Sequence, residues 1–171
     1  MTTKNKILQG AREHLLKKGQ AGFTVRAIAA QAGVNQGLVH HYFGSKENLV
    51  LELIDDITRQ PRANCTHETI GNKPEDIQKS IKEHLLFDID FGNLLVEIVS
   101  LSQHSDLIRE KIREIMQERK DLVTGKLGIT DTVEKTVFFA CVYGLLVQSR
   151  IIPTISVDDG MKCLFKKFNL L

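Results

Sequence analysis

The triplet Asn35-Gln36-Gly37 directly follows an apolar stretch that ends at Gly33 and Val34. Asn and Gln amides each offer one donor and one acceptor, the pattern that pairs bidentately with the major-groove edge of adenine. A glycine beside them lets backbone come close to DNA. Gln36 is the candidate base reader, and Asn35 either reads or caps a helix. Around them stand groups suited to sugar and phosphate: the Thr24 hydroxyl, the Arg26 guanidinium, the His40 and His41 imidazoles, the Tyr42 phenol and the Lys46 ammonium. Singly, each has an ordinary reading. Thr24 is a cap, Tyr42 a core residue, and paired histidines a solvated surface. Taken as a set, they form a nucleic-acid grip rather than a bond-making centre.

Such a grip needs elements to aim it, and helical periodicity supplies them. Ile7, Ala11 and Leu15 fall four apart and predict a helix over Thr3 to Lys18, stopped by Gly19. Thr24 caps a second helix through Ala32, Gly33 breaks it, and Asn35 caps a third to Phe43. Ile28, Ala32, Val34 and Val39 are apolar where a helix-turn-helix packs its pair, and Ala29 is small where helices are expected to cross. Ser45 opens a fourth helix to Gln60, where Pro61 is expected to end it. Beyond a polar loop, further helices are predicted near 74–91, 93–103, 105–124, 131–151 and 156–169. No alternating strand pattern or hairpin dipeptide interrupts them, so the fold class is all-α.

The chain has 171 residues, 42% of them hydrophobic and 26% charged, which excludes disordered and fibrous classes. Its longest near-apolar run, Val137 to Val147, is too short to span a bilayer. With no secretory leader at the N-terminus, the protein is expected in the cytoplasm. Cys65, Cys141 and Cys163 make an odd set without metal-ligand spacing, so reduced thiols are expected and no metal or other cofactor. Residues 1–50 hold 7 Lys/Arg and 2 Asp/Glu, against 16 and 19 in the remainder. A basic segment on a mildly acidic body fits a polyanion-binding head with a second task behind it.

The run FTVRAIAAQAGVNQGLVHHYFGSKENLV resembles the DNA-binding segment of TetR-type transcriptional regulators, including the Phe43, Lys46 and Leu49 spacing after the recognition helix. The likeness spans about residues 5 to 54. It implies an N-terminal three-helix DNA-binding domain over residues 1–45. Residues 46–171 would then form a helical effector-binding and dimerisation domain. Carried over position by position, the family's DNA contacts fall on Thr24, Asn35, Gln36, Gly37, His40, His41 and Lys46. His40 stands where the family usually has Tyr, and Val39 where it has Leu. A neutral imidazole grips phosphate less well, so DNA affinity is expected to fall as pH rises through the histidine range.

In the body, Val157, Met161, Leu164, Phe168 and Leu171 recur at coiled-coil spacing, and Val157, Met161, Leu164 and Phe168 are the candidate dimer seam. The segment before it, TVEKTVFFACVYGLLVQSRIIP, is apolar nearly all round and must be buried on more than one side. Phe87, Phe91, Leu95, Phe138, Cys141 and Tyr143 are candidate lining for an effector pocket, although such a stripe is more often plain core. Tyr143, Gln148, His84 and Ser102 are its polar options, so a lipophilic or aromatic effector is expected. The expected function is a homodimeric regulator, usually a repressor, released from a pseudo-palindromic operator when an effector favours wrongly spaced recognition helices. The helix Ser45–Gln60 is the natural lever. The alternative is a DNA-binding assembly protein without an effector. Catalysis is not expected: Ser102, His104 and Asp106 are too close in sequence to converge on one helix face, and His84 with Asp88 reads as a solvated pair.

Overall fold

The computed structural model describes residues 1–64, 73–80 and 89–170. Nine α-helices occur among them: α1 (Thr3–Lys18), α2 (Val25–Ala32), α3 (Gln36–Phe43), α4 (Lys46–Asn64), α5 (Pro74–Ser80), α6 (Ile89–Ser102), α7 (Asp106–Lys126), α8 (Thr132–Ile151) and α9 (Val157–Lys167). The first three helices match the sequence expectation, because each start carries a side chain that takes an orphan first-turn amide. Thr2 accepts from the Asn5 amide, Thr24 from Ala27, and Asn35 from Gly37.

Two expectations from the breakers fail. The fourth helix runs through Pro61 to Asn64. A proline there removes its own amide hydrogen bond and crowds the carbonyl four residues back, a cost of about 3 kcal/mol that this 19-residue helix bears close to its end. The break expected at Gly92-Asn93 is also absent, since α6 spans Ile89–Ser102. Glycine in a helix costs only about 1 kcal/mol.

Contacts divide the chain into two compact units, residues 1–60 with 93–114 and residues 61–92 with 115–171. That grouping differs from the expected boundary after residue 45, since most of α4 and the α6–α7 corner belong with the head. In the first unit Ile7, Ala11, Leu15, Phe23, Ile28, Leu49, Val50 and Leu53 are buried almost completely. The tightest helix approach lies at Gly10, where a Cβ would stand 2.9 Å from Ala32 Cβ and 3.0 Å from the Ala32 backbone nitrogen. Ala29 is buried as expected, but Gly10 carries the α1–α2 crossing.

Polar ties join the α6–α7 corner to the rest of its unit. The Gln20 amide donates to Glu97 Oε2 at 2.6 Å, and Lys111 pairs with Asp55 at 2.7 Å. Ser105 caps α7 by accepting from the Ile108 amide, and its hydroxyl donates to Glu47 in the first turn of α4.

The second unit is built on α8 and α9. Phe138 and Phe165 lie edge to face with centroids 5.8 Å apart, and Phe168 meets Phe138 at 5.3 Å. Met161, Val142, Phe139, Leu164 and Ile77 complete this core. A Cβ at Gly160 would stand 2.6 Å from Leu145, so the glycine sets how closely the two helices approach. No described helix is long and apolar enough to cross a membrane.

Candidate nucleic-acid interface

The turn between α2 and α3 is closed by backbone geometry. Gly33 adopts φ 64° and ψ 36°, a left-handed conformation that glycine takes without Cβ strain. The Val34 amide then reaches the Ala29 carbonyl at 2.9 Å. Asn35 Oδ1 takes the Gly37 amide at 2.7 Å, which commits that oxygen to capping. Of the two roles left open for Asn35, the cap is the one its oxygen fills. Gln36, exposed at the start of α3, remains the candidate reader.

Helical period does the rest. Val39 and Phe43, four apart, face inward and are buried, which turns Leu38 and Tyr42 outward at 38% and 40% exposure. Thr24, Arg26, Asn35, Gln36, Gly37, His40, His41, Tyr42 and Lys46 are all solvent-exposed. His41 and Tyr42 stack edge to face at 5.2 Å, and the Lys46 ammonium lies 5.5 Å from the Phe23 ring centroid, a contact that orients it without neutralising it. His40 Nδ1 approaches the Gly44 carbonyl at 3.4 Å.

Leu38 was not singled out from the sequence. An exposed leucine on a recognition helix offers apolar contact to a thymine methyl, and the signal was available in the four-residue offset between Leu38 and Tyr42.

The body's expected sites fare differently. Met161 and Leu164 lie inside the chain's own core, and Phe168 packs on Phe138. The α9 seam is thus spent within the chain, because α8 offers it a matching apolar face. The outward side of α9 is charged, carrying Asp158, Asp159, Lys162, Lys166 and Lys167 beside exposed Cys163. Among the candidate lining residues, Phe138 is core and Cys141 is exposed on the outer side of α8. Phe87, with His84, Asp88 and Cys65, lies outside the described residues, as do the Phe91 and Leu95 side chains. Ser102 donates to the Val99 carbonyl at 2.6 Å and Asp106 accepts from Arg109, so neither is arranged for catalysis with His104. Among the described residues no group of three His, Cys, Asp or Glu could hold a metal.

Among the candidate lining residues, Tyr143 has distinctive chemistry. Its hydroxyl is buried, and burial pushes the phenol above its ordinary value of 10.0, which the charge of nearby Arg119 only partly offsets. A raised folded value means the neutral phenol's contribution is complete below the unfolded value near 10 and is lost as pH rises through the folded one. Tyr143→Phe is therefore expected to remove part of the alkaline loss of stability, read as the urea midpoint of variant and wild type from about pH 8 to 11. Parallel curves would disprove it.

A capped helix-turn-helix with an exposed polar and basic face, carried by an all-helical chain, defines a DNA-reading regulator fold. Residues 7–53 match the model of the bacterial regulatory proteins, tetR family. The chain is 29% identical over 131 residues to the HTH-type transcriptional regulator CymR of Pseudomonas putida, covering 72% of this chain and 62% of that protein. It is 32% identical over 126 residues to the regulator BetI of Brucella suis biovar 1, covering 61% and 64%. It thus spans under two thirds of the length of these curated relatives. A regulator structure from Saccharomonospora viridis, determined in complex with choline, superposes with a TM-score of 0.79 at 18% identity, covering 95% of this chain and 93% of that one. The likeness to the tetR family of bacterial regulatory proteins therefore rests on residues 7–53, the helix-turn-helix head.

Proposed function

We propose that the protein is a sequence-specific DNA-binding transcriptional regulator that acts as a homodimer on a pseudo-palindromic operator. In this reading it represses and is released by a small effector with a largely apolar body. The observation that carries the DNA-reading role is α3 itself: a recognition helix whose inner face is Val39 and Phe43 and whose outer face is Gln36, Gly37, His40 and Tyr42. Thr24, Arg26, His41 and Lys46 surround it as phosphate contacts. Effector release follows the family and works by population shift, since a ligand lowers DNA affinity only by its preference for the misaligned conformation.

Pairing is assigned to α8 in place of the α9 seam. Val133, Val137, Val147 and Ile151 are 68%, 47%, 44% and 73% exposed, and Ala140 and Gly144 lie between them on the same stripe. The positions mirror each other about residue 142: 133 with 151, 137 with 147, 140 with 144. An antiparallel second copy about a two-fold axis would place each large apolar side chain opposite another, with small residues at the centre where helices approach.

The deciding measurement is selection of bound sequences from random duplex DNA, followed by the salt dependence of affinity for the winner. Wild type should enrich a palindrome. Gln36→Ala should cost about 1–3 kcal/mol and relax base preference at one position of each half-site, whereas Lys46→Ala should weaken all sequences alike and flatten the salt slope by about one per subunit. No enriched motif at moderate salt would refute the sequence-specific reading. DNA binding that no small molecule alters would favour an assembly protein without an effector.

A further inference from the structure

The loop between α1 and α2 takes a carboxylate from α6. Glu97 Oε2 accepts the Gln20 amide at 2.6 Å, and Oε2 and Oε1 lie 2.9 and 3.2 Å from where a Cβ on Gly19 would stand. Gly19 has φ 65° and ψ −162°, a region essentially confined to glycine, so the absent side chain permits the turn and the carboxylate's approach together. The C-terminal end of a helix favours cations, which Lys17 and Lys18 supply in the last turn of α1. The carboxylate is held there by the amide instead, through a charge-assisted bond about twice as strong as a neutral one. This contact lands on the segment that carries phosphate-binding groups. The Gln20 carbonyl accepts the Phe23 amide at 3.1 Å, buried Phe23 meets the His14 ring at 5.8 Å and the Lys46 ammonium at 5.5 Å, and Thr24 caps α2 next in the chain. Lys46 and Thr24 are two of the candidate phosphate contacts.

Resting on the paired-regulator reading, we propose that Glu97 is a positioning residue for operator recognition: it holds the α1–α2 loop to α6 and so fixes the half-site spacing that two chains accept. α6 is one helix, with residues 89–92 in the second unit and 93–102 in the first, so a loop fastened to it is fastened to an element that both units share. At the other end of the corner, Ser105 donates to Glu47 and Lys111 pairs with Asp55, both acidic partners on α4. Those ties hold α4, and Glu97 holds α1 and α2 at their junction. One base pair more or fewer between half-sites shifts a half-site by about 3.4 Å and turns it by about 35°. A head fastened at α4 and at Gln20 resists following that change, whereas one fastened at α4 alone can turn on it.

The full chain is titrated with its selected operator, with the same operator lengthened and shortened by one base pair between half-sites, and with a duplex bearing a single half-site. Wild type is expected to lose about tenfold in affinity at either altered spacing. Glu97→Ala leaves the outward face of α3 untouched, so it should bind the single half-site within about twofold of wild type yet separate the three spacings by less than about threefold. Glu97→Gln keeps an acceptor for the Gln20 amide and should keep the wild-type preference. Hydrogen exchange at Gln20, read without DNA, should be slow in wild type and Glu97→Gln and fast in Glu97→Ala. A Glu97→Ala protein with the wild-type spacing preference, a Glu97→Gln protein that loses it as alanine does, or equal Gln20 exchange in all three would each overturn the role. So would loss of single half-site binding in Glu97→Ala, which would make Glu97 a residue that holds the head's fold. If wild type binds one half-site as tightly as two, the paired reading itself fails and the spacing role falls with it. Spacing preference that survives Glu97→Ala sinks the role alone and leaves the regulator standing.

Discussion

Val137→Glu is expected to abolish the proposed pairing through α8, leaving a monomer in sedimentation, and to lower operator affinity by two to three orders of magnitude, on the order of what linking two binding modules contributes. Val137 is 47% exposed in the single chain, so a glutamate there reaches water and leaves the chain's own core intact. In an antiparallel pair it would lie opposite Val147 of the second copy, and the two-fold would bury two such carboxylates without partners. Helical content and the melting of the isolated chain should change little, which separates lost pairing from lost folding. Cys141 is exposed and one position from the mirror point, so a short thiol crosslinker should join two wild-type chains through it, and Cys141→Ser should prevent that. A Val137→Glu protein that remains dimeric would place the pairing face elsewhere.

Gly10→Val carries the other large effect. A Cβ at this position would approach Ala32 Cβ at 2.9 Å, its backbone nitrogen at 3.0 Å and its Cα at 3.1 Å. A flexible side-chain tip could move aside, but backbone cannot without opening the α1–α2 crossing, and a β-branched residue adds two further carbons. Overpacking alone costs about 1–3 kcal/mol. Here the yielding element is α2, which holds the turn at Gly33 and the orientation of α3. Sequence-specific DNA binding should therefore be lost, with the head's unfolding midpoint reduced by more than Gly10→Ala reduces it. Alanine would gain about 1 kcal/mol of helix propensity against the same contact. Wild-type stability and DNA affinity in the valine variant would show that the crossing is looser than these distances.

The head was legible because its determinants are local. Thr24, Gly33 and Asn35 act within three or four residues of themselves through capping bonds and a left-handed turn, and the four-residue offsets of α3 decide which side chains face outward. Leu38 follows from the same offset. Pro61 and Gly92 misled because a breaker weighs only about 1–3 kcal/mol, which the rest of a helix can outweigh.

What the sequence by itself determined is the all-helical class, the position of the helix-turn-helix and the outward set from Thr24 to Lys46, all consequences of spacing along one chain. Tertiary structure alone decided the rest. The apolar stripe of α9 reads the same whether it covers a partner or α8, and only packing shows Met161 and Leu164 spent at home, leaving the Val133 to Ile151 face of α8 open. Likewise Arg119 reads as one more charge on a polar helix, and Gly10 as a weak point in one. Burial beside Tyr143, and contact with the Ala32 backbone, arise from residues distant in sequence, which no local periodicity encodes.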